Sequence, residues 1–274
     1  MNDDVFFADY PKIINKLRFE VIKMSHYGKA AHLGSSLSCL DLIAVLYYNF
    51  LQINPKNSTD PLRDRFILSK GHAITSLYAV LAYRDFFPKT LLETFNTNGS
   101  CLPEHPSLQC VPGIEAATGS LGHGLSLGLG LALAAKIQKQ KYQTVVLLSD
   151  GECNEGSIWE AAMLAPSLGL SDLIGIIDYN KWQATGRSNE IMKLHPLKKK
   201  WEAFGWNTQE VEGHNPLHIL SALREARLQK GPSMIIANTI KGKGIPFMED
   251  DNNWHYRIPK KEEVQKIQQL LALS

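Results

Sequence analysis

Residues 11–27 place apolar side chains at Ile13, Ile14, Leu17, Val21 and Ile22, the three-and-four spacing of an amphipathic helix. A second helix is predicted from near Leu40 through Tyr48, with Ser38 as its cap. Phe66-Ile-Leu-Ser reads as a short buried strand, and the helical pattern returns after Gly71-His72 and runs through Leu81. The centre is more regular. Gly122–Lys136 is rich in Gly and Ala and uncharged before Lys136, as expected of a helix buried on most sides. Thr144–Ser149 and Leu173–Asp178 are continuous apolar runs, the mark of strands covered on both faces. Helices are expected at Ile158–Leu168, Pro196–Phe204 and Leu217–Gln229, and extended segments at Asn207–Val211 and Ser233–Asn238. An amphipathic helix carrying Val264, Ile267, Leu270 and Leu271 closes the chain. Strands alternating with helices predict an α/β fold, an open, mostly parallel sheet with helices on both faces. No repeat or Pro/Gly/Ser linker divides residues 1–274, so a single domain is expected. Sheets of this kind bind ligands at the carboxyl ends of their strands.

Composition narrows the classes. A chain of 274 residues, 44% hydrophobic and 20% charged, can bury a substantial core, which excludes disorder and a disulfide-stapled miniature. Lys plus Arg number 29 against 27 Asp plus Glu, too even a balance for a binder that neutralises phosphates along nucleic acid. The basic cluster Lys198, Lys199 and Lys200 reads as a solvated helix face. Cys39, Cys101, Cys110 and Cys153 form no C-x-x-C pair and no zinc-finger spacing. The N-terminal Met-Asn-Asp-Asp-Val-Phe-Phe lacks the basic and apolar regions of a signal peptide, so reduced thiols in the cytoplasm are expected. Leu125–Ala135, read as the most apolar stretch, is too short to span a bilayer, and no membrane association is expected.

Two buried strands end in polar residues, Ser149-Asp150-Gly151-Glu152 and Asp178-Tyr179-Asn180-Lys181-Trp182. If the strands are neighbours, Asp150 and Asn180 project from one sheet edge. A carboxylate, an amide oxygen and a loop carbonyl make a hard-oxygen site that suits magnesium when a phosphate ligand fills the remaining positions. The alternative is that Asp150 caps the following helix and Asn180 makes a turn. Spacing alone leaves both open. Gly122-His-Gly-Leu-Ser-Leu is a poor dinucleotide fingerprint, and Lys241-Gly-Lys-Gly lacks the Gly spacing and Ser/Thr of a P-loop.

Asp150-Gly151, Glu155-Gly156 and Asn180 together resemble the thiamine diphosphate signature, and the match is closest to transketolases. Further segments follow in the family's order: Ala31-His32-Leu33-Gly34, Asp64 to His72, His105-Pro106, Ala117 to Gly124, and Trp254-His255. The resemblance covers roughly residues 10–260. It implies that Asp150, Asn180 and the Trp182 carbonyl hold Mg2+, or Ca2+ or Mn2+ in its place. It further implies that His72, Gly119, Ser120, Leu121, Gly151, Glu152, Asn180, His255 and, with Lys70, Lys243 meet the cofactor. By the same likeness His32 and His105 meet a donor sugar, and His255 works beside them. Glu155 matches a glutamate that bridges to a neighbouring module near the aminopyrimidine. Outside such a context a single histidine is more often a core or surface residue, and His26, His195, His214 and His218 are read that way. Departures from the pattern are Ser149 where the family often has Gly, His123 where it commonly has Gln, and Tyr256 where Gly usually follows the histidine.

Full transketolases carry a pyrimidine-binding module and a C-terminal domain after this diphosphate-binding one, and no segment here resembles either. The likeness therefore implies the N-terminal subunit of a split transketolase. Its partner would carry the pyrimidine module, in an α2β2 assembly, and the pair would move a two-carbon ketol (dihydroxyethyl) unit from a ketose or ketose phosphate to an aldose. The isolated chain is expected to be inactive and to expose apolar surface or self-associate. Alternatives are a related synthase component of the deoxyxylulose-phosphate type and a non-catalytic cofactor-binding regulatory subunit.

Overall fold

The apolar runs at 144–149, 173–179 and 233–238 form the centre of a five-stranded sheet in the computed structural model, which describes residues 3–272. Strands β1 (Arg65–Leu68), β2 (Thr144–Ser149), β3 (Leu173–Tyr179), β4 (Asn207–Glu212) and β5 (Ser233–Asn238) lie in the order β1-β2-β3-β5-β4, every pair parallel. The register aligns Ser149 with Asp178 and Tyr179 with Asn238, so β2, β3 and β5 finish at one edge. Two residues of the acidic N-terminal segment, Met1 and Asn2, lie outside the described residues.

Side chains alternate cleanly across the sheet, as the pleat requires. Val145, Leu147, Ile174, Ile176, Ile235 and Ala237 face one core, against α1 (Asp3–Gly28), α2 (Leu33–Val45), α3 (Ile74–Tyr83), α8 (Pro216–Arg227) and α9 (Lys261–Leu270). Val146, Leu148, Leu173, Ile177, Met234 and Ile236 face the other, against α4 (Gly124–Gln138), α5 (Gly156–Ser167) and α7 (Leu197–Ala203). A further single turn, α6 (Ser188–Ile191), follows β3. Truncating such a buried branched side chain to Ala costs about 2–5 kcal/mol, so both layers are needed to hold the sheet. At α9, Val264, Ile267 and Leu271 are buried, whereas Leu270 turns outward.

Three expectations need correction. The second helix begins at Leu33, not near Leu40, and Ser38 lies inside it with its hydroxyl donating to Asp178 and to the Ser35 carbonyl. Leu33 to Val45 is buried throughout, and the helix starts directly after His32, whose left-handed backbone (φ 67°) turns the chain. Continued by a π-helical turn, Leu33–Phe50 is an 18-residue apolar helix, long enough by length and composition to cross a membrane and 89% buried within the fold. An apolar helix of membrane-spanning length, which the sequence reading did not expect, is thus this core element. Finally, α4 is not buried on most sides. Its inner face packs so closely that a Cβ on Gly128 would meet Val146 Cγ2 at 2.3 Å, while Leu127 and Ile137 are exposed on the other face. Met163 and Leu164 of α5 are exposed as well. Lys198–Lys200 fall on a short solvated helix, as read.

Candidate active site

The aligned ends of β2 and β3 bring Asp150 and Asn180 together: Asn180, with Ser149 and Gly151, forms the floor of a cavity of about 350 Å3, and Asp150 lies beneath that floor without lining it. Asp150 is fully buried. One carboxylate oxygen accepts from the Gly151 amide (2.9 Å), and the other from the Lys181 amide (2.9 Å) and the Ser188 hydroxyl (2.7 Å). Burial pushes this carboxyl up to about 7. The Asn180 side-chain oxygen accepts from the Trp182 amide at 3.0 Å. The cap and turn that the sequence offered as the alternative to a metal site are therefore present: Asp150 caps its turn and Asn180 makes one. A carboxylate has about four acceptor positions, so the cap does not exhaust Asp150. A buried carboxylate with its charge suppressed is a fit for a hard cation that restores it. Among the described residues no three His, Cys, Asp or Glu side chains cluster to hold an ion. Such an ion would need neutral oxygens and ligand oxygens, which is what a diphosphate supplies.

Four histidines face one another above this floor. The His32 ring centroid lies 4.9 Å from that of His255, 5.2 Å from His72 and 6.2 Å from His105. The His32 amide donates to the His255 carbonyl at 2.7 Å, so the start of α2 and the 252–255 turn are fastened at the site itself. A non-glycine residue held in the left-handed region costs of order 1–3 kcal/mol, and His32 is held there by that bond. Burial lowers the imidazoles of His32 and His72, the second also through Lys70. Burial first, then Lys241, brings His255 down to about 3. All three are neutral near pH 7. Gly119 packs under His105, where a Cβ would meet the ring at 3.0 Å, and Leu121 lines the same cavity. Glu155 is at the exposed rim.

Three residues assigned from the resemblance stand elsewhere. Glu152 turns away from the cavity: its buried carboxylate accepts from Ser69 Oγ, the Gly122 amide (2.8 Å) and the Ser149 amide (3.2 Å), pinning the 119–122 loop to the end of β2. It positions the loop instead of meeting a ligand. Ser120 is exposed toward a neighbouring depression with His123, Ser126 and Leu127. Lys243 pairs with Glu249 at 3.3 Å, because Gly242 (φ 77°) breaks the strand alternation just before it. Lys241 is the lysine of this segment that turns inward, fully buried, with its ammonium 3.0 Å from His255 Nδ1 and 2.7 Å from the Asn252 side-chain oxygen.

Asp178 was also missed. It forms a wholly buried ion pair with Lys70, which lines the cavity and also donates to the Ser35 carbonyl at 3.0 Å. A charge ending a run buried on both faces demands a partner, and that signal was available. Ser35, Asn154 and Gln183 line the cavity too, without any sequence signal. His32 Nδ1, Asn154 Oδ1 and Gln183 Nε2 are buried with no partner in the chain, as expected where a polar ligand completes the site. Of the histidines read as core or surface residues, none lines the cavity, and His214 bridges Asp41 (3.0 Å) and the Ile240 amide (2.8 Å).

Comparison with known proteins points to one family. A family model described as transketolase, thiamine diphosphate binding domain, matches residues 10–274. The chain is 40% identical over 252 residues to an apulose-4-phosphate transketolase subunit from Phocaeicola vulgatus, covering 92% of this chain and 89% of that one. It is 45% identical over 238 residues to the 6-deoxy-6-sulfo-D-fructose transketolase subunit SqwG of a Clostridium species, covering 86% of each. Its fold superposes on the transketolase of Campylobacter jejuni with a TM-score of 0.91 and 30% identity, over 99% of this chain but 43% of that one.

Proposed function

The chain belongs to the transketolase family, as its thiamine diphosphate-binding domain, and from that premise we propose that it is the N-terminal subunit of a two-chain transketolase moving a two-carbon ketol unit from a ketose to an aldose. One observation carries the reading: His32, His72, His105 and His255 converge with Asn180 in one cavity, whose floor covers the buried Asp150. Asp150, the Asn180 side-chain oxygen and the Trp182 carbonyl would hold Mg2+ and through it the diphosphate, with Lys70, Lys241, His72 and His255 beside it. Thiamine diphosphate, when bound, supplies the carbanion chemistry that breaks a bond next to a carbonyl. The chain's own contribution is position and proton handling. Neutral His32 can accept or donate a hydrogen bond to a sugar hydroxyl without placing a cation beside it, and His105 stands next to it on the cavity wall.

The relatives' names point to different donors, one carrying a phosphate and one a sulfo group, so the donor proposed here is a ketose with an anionic far end. The partner is a chain bearing the pyrimidine-binding module, in an α2β2 assembly. The exposed apolar side chains of α4 and α5 support an obligate association, since such interfaces are large and apolar. The unpaired cysteines fit the cytoplasm.

The test is co-expression with a pyrimidine-module chain from the same cell, followed by ketol-transfer assays with thiamine diphosphate and Mg2+. Turnover by the pair and none by either chain alone is expected. Full turnover by this chain alone would refute the half-site reading.

A further inference from the structure

The loop after Asn180 is closed by contacts that none of the family's motif residues explains. Lys181 turns in the left-handed region (φ 70°), Trp182 and Arg187 face each other in an antiparallel bridge, and the Gln183 amide donates to the Gly186 carbonyl at 2.9 Å. This small hairpin carries Trp182, Gln183, Ala184 and Thr185, which form one wall of the cavity. Its outer end is tied to Asp250. Both terminal nitrogens of Arg187 reach the Asp250 carboxylate at 2.7 Å, and Trp182 Nε1 donates to the same carboxylate at 2.8 Å. The Arg187 guanidinium also lies 3.7 Å over the Trp182 ring. A bidentate arginine–carboxylate pair fixes geometry as well as adding energy, and a stacked guanidinium adds to it.

Asp250 is anchored on the segment that leads to His255, which lines the cavity. Its amide donates to the Lys241 carbonyl at 2.9 Å, and two residues later the Asn252 side chain reaches back to the Ala184 carbonyl at 3.0 Å while accepting from Lys241 Nζ. His255 ends the same turn. The loop proposed to present the Trp182 carbonyl and the segment holding Lys241 and His255 are thus stapled together across the rim.

We infer that Arg187 and Asp250 form a latch that keeps the 180–187 loop shut over the diphosphate end of the cavity, so that bound thiamine diphosphate leaves only when the latch opens. The inference rests on the cofactor assignment above. Arg187 and Asp250 are positioning residues, exposed enough to be changed without disturbing either core.

The experiment loads the chain, together with its partner, with thiamine diphosphate and Mg2+, desalts it rapidly, and follows the cofactor still protein-bound by thiochrome fluorescence. Arg187→Ala and Asp250→Ala should release it about 5- to 30-fold faster, the span that one lost interaction set of this kind covers. Asp250→Ala should be the faster, because it also removes the acceptor for Trp182. Arg187→Lys should fall between wild type and Arg187→Ala, and the double alanine variant should be no faster than Asp250→Ala, since the pair acts as a unit. Arg224→Ala, which breaks the exposed pair with Asp3 on a different helix, controls for loss of any surface ion pair. Melting temperatures of all variants are measured alongside. Unchanged release in the alanine variants, or equal acceleration in Arg224→Ala, overturns the latch. A wild-type complex that retains no thiamine diphosphate overturns the cofactor assignment, and the latch with it.

Discussion

Asp178→Asn keeps the shape of the side chain and removes its charge from the centre of the molecule. Lys70 and Asp178 are both 0% exposed. The carboxylate accepts from Lys70, from the Ser38 and Thr239 hydroxyls and from the Asn180 amide, while the ammonium also reaches the Ser35 carbonyl. Burial is the largest single influence, lowering Lys70 and raising Asp178, but the partner's charge together with the surrounding hydrogen bonds outweighs it, so Lys70 sits above its ordinary value and Asp178 below. The stability from this pair is therefore fully present between the ordinary carboxylate and lysine ranges. It is lost as pH falls through the depressed Asp178 value or rises through the raised Lys70 value. In the variant, burial acts on Lys70 unopposed. Breaking a buried pair from one side costs about 3–5 kcal/mol, and about 2–4 °C of melting temperature per kcal/mol applies at this size. The melting temperature should then fall by roughly 6–20 °C. Urea unfolding at pH 7, followed by tryptophan fluorescence and circular dichroism with coincident transitions, gives the free energy directly. Lys70→Met in the Asp178→Asn background should restore much of the loss by removing the buried cation. A single variant within about 1 kcal/mol of wild type would mean that the pair is solvated and that the reasoning from burial is wrong.

Asp150→Ala should abolish the rise in melting temperature produced by thiamine diphosphate plus Mg2+, while the apo chain loses only about 1–3 kcal/mol from an unmade cap and unpaired donors; an undiminished rise sinks the metal assignment. His32, His72 and His255 all have imidazoles held below their ordinary range. Below about pH 6.5 the unfolded chain takes up protons that the folded chain refuses, so stability must fall with falling pH. His255→Asn should flatten that slope in melts from pH 7.5 to 5, and an unchanged slope contradicts the assignment. Gly128→Ala puts a Cβ 2.3 Å from Val146 Cγ2 and should cost about 1–3 kcal/mol. Gly130→Ala on the same helix meets nothing within 4 Å and should stabilise the isolated chain by up to ~1 kcal/mol. Tyr256 is exposed beside His255, with its ring centroid 6.0 Å from that of His32. With the partner present, Tyr256→Gly should change the ratio of kcat/KM between a long and a short ketose by roughly 10-fold, and an unaltered ratio removes Tyr256 from specificity.

How much of this was legible follows from what each residue depends on. The strands at 144–149 and 173–179 announce themselves, since a run buried on both faces has nothing polar to hide. The start of α2 did not, because Ser38 is a good cap by type and only the tertiary setting shows its hydroxyl bonded to Asp178 in the next layer. For α4, an apolar outer face looks in sequence like a buried one, and nothing local distinguishes a face covered by the same chain from one left exposed. The ordered motifs name His32, His72, His105, His255 and Asn180, which share one cavity, and Asp150, which is buried beside it. Glu152 was misplaced because a carboxylate next to a site residue is as useful for holding amides as for meeting ligand. Lys241 and Lys243 have the same parity on an extended chain, and only the turn at Gly242 decides which of them points inward.

The charges at the cavity also argue for what fills it. Three imidazoles are neutral, Asp150 is lifted to about 7, and Lys70 is already matched by Asp178. That leaves Lys241, which burial first and then Lys70 bring down to about 8. Its nearest partners are the Asn252 oxygen and a histidine nitrogen, both neutral, and among the described residues no carboxylate forms an ion pair with it. A buried cation without a counter-ion and a buried carboxylate without a cation, at one site, are each costly apart. The diphosphate and divalent ion proposed above would settle both, the ion standing against Asp150 and the phosphate oxygens against Lys241. A neutral sugar alone would settle neither, and a bare cation would leave Lys241 worse off than before.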